Sequence, residues 1–311
     1  MPRSPLRPIR HRLEALLLRL TGLLARALPF SGASALGAAT GRLAFALLGR
    51  RRRIAVGNVR AALGDPTRGS SAEEVARLAF IQLGRSFVEF LWLRGRSPEE
   101  LLRRVTFEGY EPLAERARAG KGMILVTGHY GNWELLGAAL RALGYPVRYL
   151  LPPQSNPGSD AYLDSVRRSL GIESTKIGFG MREALRAIRS GDFLAMLPDQ
   201  DARRIGLHVP FFGRPASTHT GPARLAVRSG CPIAVGFLVR AASGRFHTRL
   251  EAILEPRSGA PEQEEIARLT AELTTLIEAA VRRHPDHWYW LHRRWKTLPP
   301  RPAEAAVSTV A

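Results

Sequence analysis

A single cysteine, Cys231, in 311 residues excludes an internal disulfide framework and every multi-cysteine metal site. It stands between Gly230 and Pro232 ahead of an apolar run, which reads as a small buried residue rather than a nucleophile. Long clean apolar runs are also missing. The leucine-rich stretch from Leu13 to Pro29 is interrupted by Arg19 and Arg26, and the next, from Ala33 to Gly49, by Arg42. Neither offers the roughly 20 apolar residues of a membrane-spanning helix. Acids are short too: 27 against 46 lysines and arginines, a net charge of +19 whose field favours nucleic acid, anionic lipid or an acidic carrier protein. His208, His219 and His247 are scattered without zinc-ligand spacing, which argues against a catalytic metal. No Gly-x-Ser-x-Gly elbow is present, which argues against a serine esterase.

With 45% hydrophobic and 23% charged residues, the chain can bury a large core. Residues 1–52 combine a basic start, Arg3 to Arg12, with the two interrupted apolar segments. Ala33-Ser34-Ala35 resembles a leader cleavage site, but the second apolar segment comes at once. An uncleaved, membrane-associated helical region is expected, either lying in the interface or spanning with its arginines snorkelling. A buried amphipathic hairpin is the alternative. The run Arg50 to Arg53 favours the cytoplasmic side for the residues after it. Residues 53–104 read as a helical lead-in: Ser71-Ala72-Glu73-Glu74 is a capping box opening a helix to about Arg94, and Ser97-Pro98 opens a short one.

From Val105 the pattern alternates between short apolar runs and helical stretches. Strands are expected at Met123 to Thr127, Val147 to Leu151, Phe193 to Leu197 and Ile233 to Val239. Helices are expected at Trp133 to Leu143, Ser159 to Leu170, Met181 to Arg189, Gly221 to Arg228 and Glu262 to Arg283. Residues 105–299 therefore predict an α/β core, a mixed and largely parallel sheet flanked by helices. Residues 300–311 predict a disordered tail.

The apolar run Ile124 to Thr127 ends in Gly128-His129, placing His129 at the carboxyl edge of a strand, where ligands bind in open α/β sheets. Glu134 comes next, in the first turn of the following helix. A strand-to-helix turn lets its carboxylate fold back toward the imidazole and fix the tautomer of a general base. Backbone amides around Gly128 to Asn132 are candidates for meeting an oxyanion. Asp199 and Asp201 come just after another expected strand, so either can support His129 or orient an acceptor; a plain turn of Pro and Asp residues is the alternative. Arg203 and Arg204 suit lipid or carrier phosphates, or simply solvent.

The longer string Thr127-Gly128-His129-Tyr130-Gly131-Asn132-Trp133-Glu134 resembles the bacterial lipid A biosynthesis (late) acyltransferase family, within the lysophospholipid acyltransferase superfamily, whose signature is a histidine followed by four residues and an acid. Arg53 to Val59 with Asn58, Pro198-Asp199-Gln200-Asp201, Val209 to Gly213 followed by Thr220-Gly221-Pro222, and His287 to Lys296 are similar to further blocks of that family, in order. The resemblance implies a glycerol-3-phosphate acyltransferase-like fold. It also implies transfer of a fatty acyl chain from acyl carrier protein or a coenzyme A thioester to a hydroxyl of a membrane glycolipid. A lipid A precursor comes first, and a phosphatidylinositol mannoside or another lysolipid is the alternative.

The site implied is His129 and Glu134 as catalytic residues, with Asp199, Asp201 and Arg168 supporting or orienting the acceptor; Arg167 stands beside Arg168 as the other choice. Gly128, Asn132, Arg203 and Arg204 are the substrate-binding candidates, with no metal and no cofactor. The place implied is the cytoplasmic face of the bacterial inner membrane, N-terminally anchored against an anionic surface. Trp288, Tyr289, Trp290 and Trp295, interleaved with His292, Arg293, Arg294 and Lys296, suit an interfacial anchor or an acyl-channel wall. They also permit a nucleic-acid platform, but no nucleic-acid motif accompanies them and nucleic acid is not an expected partner. The reading from another class, a catalytically inactive basic membrane- or nucleic-acid-binding module, requires polyanion binding that is indifferent to His129.

Overall fold

The computed structural model describes residues 7–64, 71–176 and 181–300; the tail at 301–311 lies outside them. Helices come first: α1 (Arg7–Ala27), α2 (Phe30–Leu47), α3 (Gly49–Leu63), α4 (Ala72–Trp92) and the short α5 (Pro98–Leu102). The capping serines work as their spacing requires. Ser71 Oγ accepts from the Glu74 amide at 3.2 Å and Ser97 Oγ from the Glu100 amide at 3.3 Å, each satisfying a donor the helix start leaves open.

Strands and helices then alternate: β1 (Val105–Glu108), α6 (Glu111–Arg118), β2 (Met123–Val126), α7 (Trp133–Ala142), β3 (Val147–Leu151), α8 (Pro157–Ser169), β4 (Glu173–Lys176), α9 (Met181–Arg189) and β5 (Phe193–Met196). A hairpin of β6 (Leu207–Phe211) and β7 (Arg214–Thr218) intervenes before α10 (Gly221–Ser229), β8 (Ile233–Arg240), β9 (Phe246–Leu254) and α11 (Glu262–Arg283). Seven strands form one sheet in the order β1-β9-β8-β2-β5-β3-β4. Every pairing in it is parallel except β8 with β9.

The central strands are apolar at every position because both faces are covered. Met123, Leu125, Phe193 and Ala234 face a core with α7 and α8, while Ile124, Val126, Leu194, Ile233 and Val235 face a second core with α10 and α11. These strands are the ones the apolar runs predict. The apolar pattern predicts no strand at β1, β4, β6, β7 or β9. Glu-Ser-Thr-Lys in β4 is a polar edge strand, and the β6–β7 hairpin carries Pro210 and Pro215, so neither presents an apolar run.

The amino-terminal helices are built into the fold. Leu18, Ala25, Phe30 and Ala33 share a core with Trp92 and Phe246, and Phe45, Ala55 and Val59 join the other. At the α2–α4 crossing the backbones touch: a Cβ on Gly37 would come within 2.6 Å of the Gly84 carbonyl, so only glycine permits this approach. The outer face of α1 presents Leu13, Leu16, Leu17, Leu20, Leu23 and Leu24 to solvent. No helix among the described residues is long and apolar enough to cross a membrane.

Candidate active site

β2 and β5 are parallel neighbours in register from Met123↔Phe193 to Val126↔Met196. The chain leaves β2 toward β3 on one side and leaves β5 toward β8 on the other, so the crevice beyond these strands is the switch point of the sheet. The register continues past the strand ends. His129 and Asp199 each lie three residues beyond Val126 and Met196, and they meet. Asp199 Oδ1 accepts from His129 Nδ1 at 2.7 Å, and Oδ2 accepts from the His129 amide at 2.8 Å and from Trp288 Nε1 at 2.9 Å. Gly128 permits this closeness, since a Cβ there would press on Asp199 Oδ2 at 3.3 Å.

Asp199 is buried, which alone would favour its neutral form, but His129 and the donors around it hold its pKa down to about 2. An ionised carboxylate only accepts, so Nδ1 carries the hydrogen, and it is Nε2 that holds the lone pair in the neutral tautomer. Nε2 has no hydrogen-bond partner among the described residues, and the side chain stays 27% exposed between the rings of Trp133 and Tyr289.

Glu134 does not fold back to His129, contrary to the expectation from the sequence. It lies in the first turn of α7 and pairs with Arg167 of α8, with Arg167 Nη2 donating to Oε1 at 2.6 Å and both side chains one-tenth exposed. Of the two adjacent arginines, Arg167 turns inward and Arg168 is exposed, so Arg168 takes no part in the cluster. Asn132 is already committed: its Oδ1 caps α7 by accepting from Leu135 N at 3.0 Å, and its Nδ2 donates to buried Glu89 at 2.8 Å. Glu89 in turn holds Arg240. The turn amides are similarly occupied, that of His129 by Asp199 and that of Gly131 by the His287 carbonyl at 2.8 Å. Gly131 has φ +57, and a Cβ there would strike the Leu238 carbonyl.

Asp201 lies apart from the imidazole. It accepts from the Thr297 hydroxyl at 3.0 Å, and its amide donates to His292 Nε2 at 3.0 Å, which ties the end of the chain to the sheet. Arg203 and Arg204 are exposed on a short 3-10 turn, Arg203 at φ 57. Trp288 and Trp290 are fully buried and stack edge to face, so they are core rather than an interfacial belt. From α3, Asn58 Nδ2 donates to the carbonyls of Trp290 and His292, and Arg51 donates to that of Leu291.

Residues 9–297 match the family described as bacterial lipid A biosynthesis acyltransferase. The chain belongs to this family. Over 286 residues it is 27% identical to the lipid A biosynthesis palmitoleoyltransferase of Escherichia coli (strain K12), covering 88% of this chain and 87% of that one. Over 279 residues it is 25% identical to the lipid A biosynthesis lauroyltransferase of the same strain, covering 88% of each. A phosphatidylinositol mannoside acyltransferase of Mycobacterium tuberculosis (strain CDC 1551 / Oshkosh) is 26% identical over 244 residues, 76% of this chain and 72% of that one. The protein is an acyltransferase whose acceptor is a lipid.

A narrow apolar cleft opens beside the His129 turn. Thr127 and Trp133 stand at its His129 end, and Leu136, Leu140, Val147 and Leu113 continue it between α7 and the sheet. A smaller cavity of about 280 Å³ lies on the other face, with Asp199, His219 and Arg294 in its wall. The sequence pattern assigns Arg294 no role of its own and leaves open whether Asp199 or Asp201 serves His129. The equal offset of His129 and Asp199 from their strand ends is the signal that separates the two acids.

Proposed function

We propose that this acyltransferase moves a fatty acyl group from a thioester of acyl carrier protein or coenzyme A to a hydroxyl of a membrane glycolipid, with His129 as general base. The observation that carries the reading is His129 itself: Nδ1 is fixed by Asp199 while Nε2 is left open beside an apolar cavity. The donor's alkyl chain lies in that cavity, its burial worth ~0.8 kcal/mol per methylene. The acceptor hydroxyl gives its proton to Nε2 as its oxygen attacks the thioester carbonyl. The C–S bond breaks as the tetrahedral intermediate collapses, and the departing thiolate takes the proton from Nε2. Asp199 stabilises the imidazolium between these steps without taking the proton. Developing negative charge on the carbonyl oxygen faces the start of α7, where the Leu135 amide is taken by Asn132 and those of Trp133 and Glu134 are left to meet it.

Glu134, in this reading, shapes the site through Arg167 rather than touching the base. The exposed leucines of α1, interspersed with Arg10, Arg12 and Arg19, lie in an anionic interface at the cytoplasmic face of a bacterial inner membrane. A lipid A precursor is the first choice of acceptor. A phosphatidylinositol mannoside is the second, because that relative is as similar as the lipid A enzymes. Mass spectrometry of membrane lipids from cells with the protein, without it, and with His129→Ala tests the reading. A lipid lighter by one acyl group in both the null and the mutant names the acceptor; a mutant that acylates like wild type removes His129 as base.

A further inference from the structure

Among the described residues three hydroxyls line the cleft beside the His129 turn, those of Tyr110, Thr127 and Tyr149. Tyr110 is satisfied, since its hydroxyl pairs with that of Thr248 at 2.6 Å. The other two are open. Thr127 is 8% exposed and Tyr149 6%, and neither oxygen has a hydrogen-bond partner among the described residues. Buried hydroxyls are as a rule paired, and each one left open costs free energy that a side chain of the same shape without the oxygen would not. Valine in place of Thr127 and phenylalanine in place of Tyr149 would line a purely apolar cleft at no such cost.

The register of the sheet places the pair. Leu125 of β2 and Tyr149 of β3 both stand level with Ala195 of β5, and Thr127 follows two residues after Leu125 on the same face. Thr127 is therefore at the reacting end, two residues ahead of His129. Tyr149 reaches up to α7, where its hydroxyl lies against Gly137. Gly137 is one turn, about 6 Å, on from Trp133, which marks the His129 end of the cleft.

We infer that this cleft takes an acyl chain bearing a hydroxyl in preference to a plain alkyl chain; this rests on the reading of the cleft as the donor's acyl site. A hydroxyl on the carbons next to the thioester pairs with Thr127, and one about a helical turn deeper pairs with Tyr149. A chain hydroxyl both donates and accepts, so it matches either side chain. The methylenes between lie on Leu136, Leu140 and Val147.

The test is a competition. The full-length protein is given equal amounts of a plain dodecanoyl thioester and a hydroxylated counterpart, on coenzyme A and on acyl carrier protein in turn, with membranes from cells lacking the protein as acceptor. Mass spectrometry of the product lipids gives the ratio of the two chains, and moving the hydroxyl carbon by carbon away from the thioester maps the cleft. Wild type should prefer the hydroxylated chain about tenfold at its best positions, the worth of one neutral hydrogen bond. Thr127→Val should abolish the preference nearest the thioester and keep the deeper one, and Tyr149→Phe should do the reverse. Thr127→Ser, which keeps a hydroxyl, should keep both. If Thr127→Val does not fold, Thr127→Ala removes the same oxygen and gives the same reading. A wild-type ratio near one at every position, or a preference that survives both substitutions, overturns the inference while leaving acyl transfer intact. A Thr127→Val protein that loses plain and hydroxylated transfer alike also overturns it, by assigning that hydroxyl to the reaction itself. Transfer of neither chain by wild type would instead sink the acyl-site reading on which the inference stands.

Discussion

The cavity beneath α7 and the cavity beneath α11 reach the same turn from opposite faces of the sheet, and their chemistry differs. The α7 side is walled by leucines, alanines and Trp133, and Glu134 of α7 pairs with Arg167, which also reaches Asp164. The α11 side holds Asp199, His219 and Arg294. One strand end serves both, since Leu197 lines the first cavity and Pro198 and Asp199 the second. In the proposed mechanism the alkyl chain lies on the α7 face, away from the buried Asp199. The register of β2 with β5 brings Asp199, and not Glu134, to Nδ1, so in that mechanism the acid beside His129 lies on the face opposite the alkyl chain.

Removing the polar side should have the largest effect. His129→Ala or Asp199→Asn should lower the acyl-transfer rate by roughly 10²–10⁴, with little change in the circular dichroism spectrum. The folded pKa of Asp199, about 2, lies below its ordinary 3.8. Its contribution to stability is thus fully present above pH 4 and lost as pH falls through 2, an effect of about 2 kcal/mol. Acid unfolding of wild type should show this window, and Asp199→Asn should not. If Asp199→Asn transfers acyl chains at the wild-type rate, the comparison between the two faces has no catalytic content.

Breaking the ion pair on the other face should act on stability instead. Glu134→Ala leaves Arg167 buried with only the weaker contact to Asp164, and should cost roughly 3–5 kcal/mol in denaturant unfolding. Replacing both partners, Glu134→Leu with Arg167→Met, should recover much of that loss. A Glu134→Gln protein that is as stable as wild type but catalytically dead would return Glu134 to the chemistry.

Much of the fold is legible in the sequence. Met123 to Val126, Phe193 to Met196 and Ile233 to Val239 announce central strands because both their faces are apolar, and the caps at Ser71 and Ser97 are local signals that the structure repeats. The place of His129 at the end of β2 is carried by strand, turn and helix in succession. The partner of His129 is not fixed by the same reasoning, because Glu134 is near in sequence while Asp199 is near only through the pairing of β2 with β5. Arg167 and Arg168 present the same chemistry, and only the packing of α8 decides which one turns inward. The amino-terminal helices read as a separate membrane piece because their arginines and leucines do not reveal that Phe30 and Phe45 enter the two cores.

Narrowing the apolar cavity should have a smaller, selective effect. A Cβ on Gly137 would land on the Tyr149 hydroxyl across the pocket. Gly137→Ala should cost about 1–3 kcal/mol through overpacking and lower the use of long-chain thioesters more than short ones. Adding Tyr149→Phe removes the oxygen but leaves ring carbons at 2.7 and 2.8 Å, so the double variant should regain only part of the long-chain transfer. Equal losses across a series of acyl lengths would place the alkyl chain outside this cavity.

Tyr149→Phe alone should have the smallest effect, and of the opposite sign. The Tyr149 hydroxyl is buried and has no hydrogen-bond partner, and burial keeps its pKa well above the ordinary value, so it neither donates within the fold nor ionises. Deleting an unsatisfied buried hydroxyl removes a desolvation cost and leaves the ring packing in place, so the variant should gain about 1 kcal/mol in denaturant unfolding or remain neutral. Acyl transfer from an unsubstituted thioester such as lauroyl-coenzyme A should be unchanged. A clear loss of transfer with stability retained would mean that the hydroxyl meets the thioester itself, and the α7 face would then bind the reacting group as well as an oxygen on the chain.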